Sequence, residues 1–280
     1  VILQKIREEE RKVLYDEYFQ KEKDVVTGVV QRYVGRNVSI NLGKVDALLT
    51  ENEQVKGEKF EPTQRVKVYV LEVKNTTKGP KVMVSRTHPE LVKRLFESEV
   101  SEVAEGIVEI KSIAREAGSR TKMAVWSNDP NVDAVGACVG MNGSRVNAVV
   151  NELNGEKIDI ITWDENPALL IENALSPAKV ISVMADPDEK TAKVIVPDYQ
   201  LSLAIGKEGH IGMAAAYASY LLLYEEGAFH RLEILQAFQA DPDAVLVIGA
   251  DACHTLVAII IAYHHGIRHH VCPVSACPVA

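Results

Sequence analysis

The sequence is short of the features that mark secreted, membrane-spanning or metal-dependent proteins. Four cysteines occur in 280 residues, three of them from Cys253 onward, and this scatter excludes a disulfide framework. A reducing, cytoplasmic setting follows. The longest wholly apolar stretch, near Leu256 to Tyr263, is far below the length needed to span a bilayer, so no membrane is expected. Neither a Gly-x-x-x-x-Gly-Lys-Ser/Thr loop, a His-Glu-x-x-His pair nor a nucleophile elbow occurs, and no catalytic residue or cofactor is expected. Charge is also unevenly missing. The formal net charge is −8, yet residues 59–122 carry thirteen Lys and Arg, nine Glu and no Asp, while lysine is absent after Lys207. An acidic total therefore hides a locally basic stretch, and for a phosphate-binding face local sign outweighs the sum.

What is present changes period along the chain. Residues 1–23 read as one helix, with Ile2, Ile6, Val13, Leu14 and Tyr18 at helical spacing. Its charged start is unlike a signal peptide. The initial Val leads us to expect a fragment or processed product in which 1–23 is the last helix of a truncated N-terminal domain. Residues 24–87 alternate as five strands punctuated by turn residues, the pattern of a small β-barrel of the OB type. Arg65, Lys67, Lys74, Lys78 and Lys81 add a basic cluster to it. Residues 88–164 then read as helix, strand, strand, helix, Gly140-Met141-Asn142-Gly143, helix, strand. The same order restarts at 165–235, with Gly206-Lys207-Glu208-Gly209 in the matching place about 66 residues later.

A Gly-x-x-Gly tetrapeptide alone is weak, because about one is expected by chance at this glycine content. Recurrence with its flanking helices makes it strong. Glycines let a sugar-phosphate approach the main chain, and the following helix points unpaired N–H groups at phosphate. This is the logic of the KH module for single-stranded nucleic acid. The candidate RNA-binding residues are Gly140, Met141, Asn142, Gly143, Arg145, Gly206, Lys207, Glu208 and Gly209. Met141-Asn142 brings no cation to the first loop, and Arg145 is expected to compensate from the next helix.

Longer strings carry a family resemblance. They include Val84-Ser85-Arg86-Thr87-His88-Pro89, Ser127-Asn128-Asp129-Pro130-Asn131-Val132-Asp133, Asn173-Ala174-Leu175-Ser176-Pro177-Ala178-Lys179-Val180, and the run from Val194-Ile195-Val196-Pro197-Asp198-Tyr199 through Gly209. Over residues 1 to 209 the chain resembles the NusA family of bacterial transcription elongation and termination/antitermination factors. The resemblance implies an α+β multidomain protein: an S1 barrel of five strands at 24–87, then two tandem type II KH domains (αββααβ) at 88–164 and 165–235. It further implies binding of single-stranded nascent RNA, with RNA polymerase and other antitermination factors as partners, in a cytoplasmic monomer. The polymerase-docking domain is mostly absent here.

After Gly209 the basic helix and closing strand of the family give way to an apolar stretch, with His230 to Leu235 as a replacement strand. Residues 236–280 form an atypical tail, read as an uncertain α/β piece: strand at 243–249, helix at 252–265, strand at 269–274. That pattern faintly resembles part of a nucleotide-sugar epimerase. A fused or frame-shifted, non-functional tail is the plainer alternative. Cys253, His254, His264, His265, His269, His270, Cys272 and Cys277 lack zinc-knuckle spacing and read as incidental rather than metal ligands. Cys138, Trp126 and Trp163 read as core.

Overall fold

The computed structural model describes residues 2–77, 79–186 and 191–205, with four further strand segments at 231–237, 245–250, 256–261 and 270–273. Two compact units emerge. One comprises residues 1–106, 116–120 and 136–158; the other comprises 107–115, 121–135 and the chain from 159 onward.

In the first unit α1 (Ile2–Phe19) leads into five strands: β1 (Val25–Val34), β2 (Asn37–Asn41), β3 (Asp46–Leu49), β4 (Arg65–Thr76) and β5 (Gly79–Ser85). They close into a barrel in the order β1-β2-β3-β5-β4, with β3 and β5 parallel and the other pairings antiparallel. Alternation along the strands sends Val30, Val38, Ile40, Leu49, Val66, Val68, Val70, Val82 and Val84 inward. Gly28 is dictated by this packing. A Cβ there would sit 2.3 Å from Ile40 Cγ2 and 2.8 Å from Leu42 Cδ2. The last turn of α1 belongs to the same core: Tyr18 is buried and its hydroxyl donates to the Leu42 carbonyl at 2.8 Å. The earlier apolar stripe of α1 stays open, with Ile2, Leu3 and Val13 exposed.

After β5 the chain enters α2 (Pro89–Glu99), with Pro89 in the first turn and His88 as N-cap, its Nδ1 accepting from the Glu90 amide at 3.2 Å. The first helix of this segment stops at Glu99. Val100 is extended (φ −115°, ψ 108°) and a separate turn, α3 (Ser101–Ala104), follows. Next come β6 (Val108–Glu116), β7 (Arg120–Ser127), α4 (Ala134–Val139), α5 (Ser144–Glu152) and β8 (Lys157–Thr162), with sheet order β6-β7-β8.

In the second unit the order repeats: α6 (Pro167–Leu175), β9 (Ser182–Asp186), β10 (Thr191–Pro197) and α7 (Asp198–Ile205). Asn166 caps α6 by accepting from the Ala168 amide at 3.0 Å. The core here is shared. Ala124 of β7 and Ile161 of β8 lie in one apolar cluster with Leu170, Ile171, Ala174 and Leu175 of α6 and Ala192, Val194 and Val196 of β10. Lys122 is fully buried on β7. Its Nζ donates to the Ser176 carbonyl at 2.8 Å and lies 3.3 Å from Asp159 Oδ2.

The replacement strand forms. β11 (Arg231–Ala237) pairs parallel to β10 from Thr191↔Arg231 to Pro197↔Ala237, while β9 pairs antiparallel on the other side. The tail departs from expectation. β12 (Val245–Ala250), β13 (Leu256–Ile261) and β14 (His270–Pro273) make an antiparallel three-stranded sheet. The helix expected over 252–265 is a strand where it is described, so the β-α-β reading is corrected. Val257, Ile259, Ile260 and Ile261 are β-branched and favour a strand over a helix.

Candidate nucleic-acid interface

The first glycine loop joins α4 to α5 by a sharp reversal of backbone. Gly140 closes α4 by donating to the Gly136 carbonyl at 2.9 Å, and itself sits at φ 73°, ψ 173°. Met141–Gly143 forms one 3₁₀ turn containing left-handed Asn142 (φ 52°, ψ 28°). Gly143 is left-handed as well (φ 75°, ψ 17°). The Gly140 conformation is open essentially to glycine alone, whereas Asn is among the few other residues that adopt the left-handed region. A Cβ on Gly140 would also meet Arg145 Cγ at 2.8 Å. The result is a tight bend whose tip, Met141, is 87% exposed.

α5 starts at Gly143 with no side chain capping it. The Gly143 and Ser144 amides donate to the Gly140 and Met141 carbonyls within the loop, so what the helix start offers an anion is its positive dipole end and the amides that follow. The loop supplies geometry and partial charge, but no formal charge.

Arg145, expected to bring charge to the loop, has partners within the protein. Its Nη1 donates to Glu102 on α3 at 2.9 and 3.1 Å and to the Ala137 carbonyl at the end of α4 at 2.7 Å. The side chain stitches α3, α4 and α5 together behind the loop, and its charge is already paired. The Glu102 carboxyl is held below its ordinary range by its own backbone amide first and by Arg145 second. Cys138 is buried on α4, as its size suggests.

A second network fixes the far end of α5. Arg86 and Glu58 are both buried. Arg86 Nε donates to Glu58 Oε1 at 3.1 Å, and Nη2 donates to the same oxygen at 2.5 Å and to the Glu152 carbonyl at 3.0 Å. Nη1 donates to the Lys67 carbonyl at 2.8 Å and to Glu152 Oε1 at 3.4 Å. Asn154 Nδ2 donates to Glu58 Oε1 at 2.6 Å. The end of the helix that begins at the glycine loop is thus pinned to the barrel. Spacing in the sequence gives no sign of this, since the partners lie up to 96 residues apart.

At the second loop, α7 runs up to Ile205 with Ala204 in the core and Tyr199 exposed. Gly206, Lys207, Glu208 and Gly209 lie outside the described residues. So do Lys78 of the barrel's basic cluster and the side chains of the tail's Cys and His residues.

Trp126 and Trp163, read as core from sequence, divide. Trp126 is 39% exposed and forms a T-shaped pair with Trp163, with ring centroids 5.3 Å apart. Trp163 leans on the shared core. The reason is position: Trp126 lies next to the end of β7.

Comparison with known proteins agrees with this architecture. Residues 86–163 match the model of the NusA-like first KH domain, and residues 167–215 that of the NusA-like second KH domain. The second match continues past Gly209, where the sequence reading placed the end of the resemblance. The chain is 54% identical over 216 residues to the transcription termination/antitermination protein NusA of Bacillus subtilis, covering 77% of this chain and 58% of that protein. It is 47% identical over 235 residues to NusA of Thermus thermophilus, covering 83% of this chain and 61% of the relative. The chain thus spans less than two thirds of the length of these relatives. With both KH modules in family order and about half of the aligned residues shared, this chain belongs to the NusA family.

Proposed function

We propose that this chain is the RNA-binding portion of a transcription termination/antitermination factor. It holds single-stranded nascent RNA and modulates pausing, termination and antitermination by RNA polymerase, acting by binding rather than by chemistry. The observation that carries this reading is the tandem of NusA-like KH modules with an uncapped helix start behind a glycine loop. In this reading Gly140, Met141, Asn142 and Gly143 clamp backbone at the first module, and Gly206, Lys207, Glu208 and Gly209 do so at the second. Arg145 shapes the first loop from behind it. The five-stranded barrel acts as an S1 domain of the OB type and adds a third RNA-binding surface. RNA polymerase and other antitermination factors are its protein partners, and the factor works as a cytoplasmic monomer.

The test is a polarisation titration of the full chain with labelled, unstructured oligoribonucleotides at several salt concentrations. Affinity is expected to fall steeply with salt. Paired substitutions Gly140→Asp/Gly143→Asp and Gly206→Asp/Gly209→Asp should each weaken it about tenfold or more, because each places two carboxylates against phosphate. Salt-insensitive binding, or full affinity with both loops substituted, would defeat the proposal.

A further inference from the structure

Five side chains of the second unit form a connected patch at one end of the β6-β7-β8 sheet. Trp126 and Trp163 form a T-shaped pair. Lys111 Nζ lies 5.5 Å above the Trp163 ring and donates to Glu109 Oε2 at 2.5 Å. Asn128 Nδ2 donates to Glu109 Oε1 at 2.8 Å. Lys111, Glu109, Asn128 and Trp126 all reach solvent. The glycine loop is not part of this patch.

The chemistry of the patch selects its ligand. Lys111 and Glu109 balance one another, so there is no net charge to hold a phosphate. Hydrogen bonds from Lys111 first and Asn128 second keep the Glu109 carboxyl below its ordinary value, so it remains an ionised acceptor at neutral pH. What is offered is a part-exposed indole, held by its T-shaped contact with Trp163, in a patch with one carboxylate and one amide. A flat, neutral, heteroaromatic group with polar edges fits that combination, and in unpaired RNA that group is a base.

We infer that Trp126 is a stacking platform for one unpaired nucleobase, with Glu109 and Asn128 facing the base edge. This rests on the RNA-binding reading above and adds to it a contact that is independent of the loops and of salt. Stacking involves no counterion release, whereas phosphate contacts do.

Trp126 and Trp163 are the two tryptophans of the chain, so intrinsic emission reports on this patch. The experiment titrates the full chain with an unlabelled single-stranded oligoribonucleotide while following tryptophan fluorescence. In parallel, polarisation with labelled RNA is measured for wild type, Trp126→Leu and Trp126→Phe across salt concentrations. RNA should quench the emission. Trp126→Leu should weaken binding about tenfold with the salt slope unchanged, and Trp126→Phe should stay within about threefold of wild type, since a phenyl ring still stacks. If RNA binds by polarisation but emission does not change and Trp126→Leu binds like wild type, the platform is overturned while the RNA-binding reading stands. In that outcome the exposed indole belongs to a protein contact. If polarisation shows no RNA binding at all, the RNA-binding reading falls and takes the platform with it.

Discussion

The guanidinium of Arg86 and the carboxylate of Glu58 form a buried pair, 2% and 3% exposed, in which every N–H of the arginine has an acceptor. Breaking such a pair leaves an uncompensated charge away from water, at a cost of about 3–5 kcal/mol. Arg86→Ala is therefore expected to be among the most destabilising single changes in the first unit. Arg86→Lys should recover only part of the loss, since an ammonium cannot reproduce the planar five-donor fork. Denaturant unfolding of the three proteins checks this.

Lys122 plays the corresponding part in the second unit, where it reaches the Ser176 carbonyl at the end of α6. Lys122→Met would keep most of the packing and remove both the hydrogen bond and the pair with Asp159. Because Asp159 is partly exposed and can be rehydrated, the expected loss is smaller, about 1–3 kcal/mol. Hydrogen exchange should show it as lowered protection in α6, with the barrel strands unaffected.

The two glycines of the first loop should not tolerate substitution equally. Gly140→Ala forces a Cβ into a backbone region open to glycine alone and against Arg145 Cγ, at a cost of about 1–3 kcal/mol. Gly143 is left-handed, a region Asn tolerates better than most residues, and its Cβ would meet the Asn147 side-chain amide at 3.0 Å, so Gly143→Asn should cost less stability than Gly140→Asn. Thermal melts of both variants separate the cases, and RNA titration of Gly143→Asn asks whether a side chain at that point obstructs backbone approach.

Arg145 is held by Glu102, and Glu102→Gln should release its charge. RNA affinity is expected to rise about twofold to fivefold, and the slope of log affinity against log salt to steepen by about one unit. The same pair makes an acid-side prediction. The Glu102 carboxyl ionises more readily folded than unfolded, and so does that of Glu109. Their stabilising contribution is complete above the ordinary value of 4.5 and is lost as pH falls through the lower folded values. Stability measured from pH 6 downward should fall less steeply below about pH 4.5 in Glu102→Gln/Glu109→Gln than in wild type.

Much of this architecture was written locally. The five barrel strands follow from alternating residues and turn glycines, and the doubled helix-strand-strand-helix order from changes of period. The loop at Gly140 announces itself because only glycine accepts its backbone. These signals act over a few residues, and the sequence alone carries them. The tertiary structure decided which charges are available. Arg145 lies five residues from Gly140, and only the packed chain shows that Glu102, 43 residues upstream, pairs with it. Arg86 and Lys122 look like members of a basic surface, yet both are buried and paired. Trp126 reads as core but stands at the solvent edge of its sheet, and residues 256–261 read as helix but pair as a strand. For Arg145, Arg86 and Lys122 a deciding partner is distant in sequence. Burial and pairing are properties of the packed chain, and no local pattern encodes them.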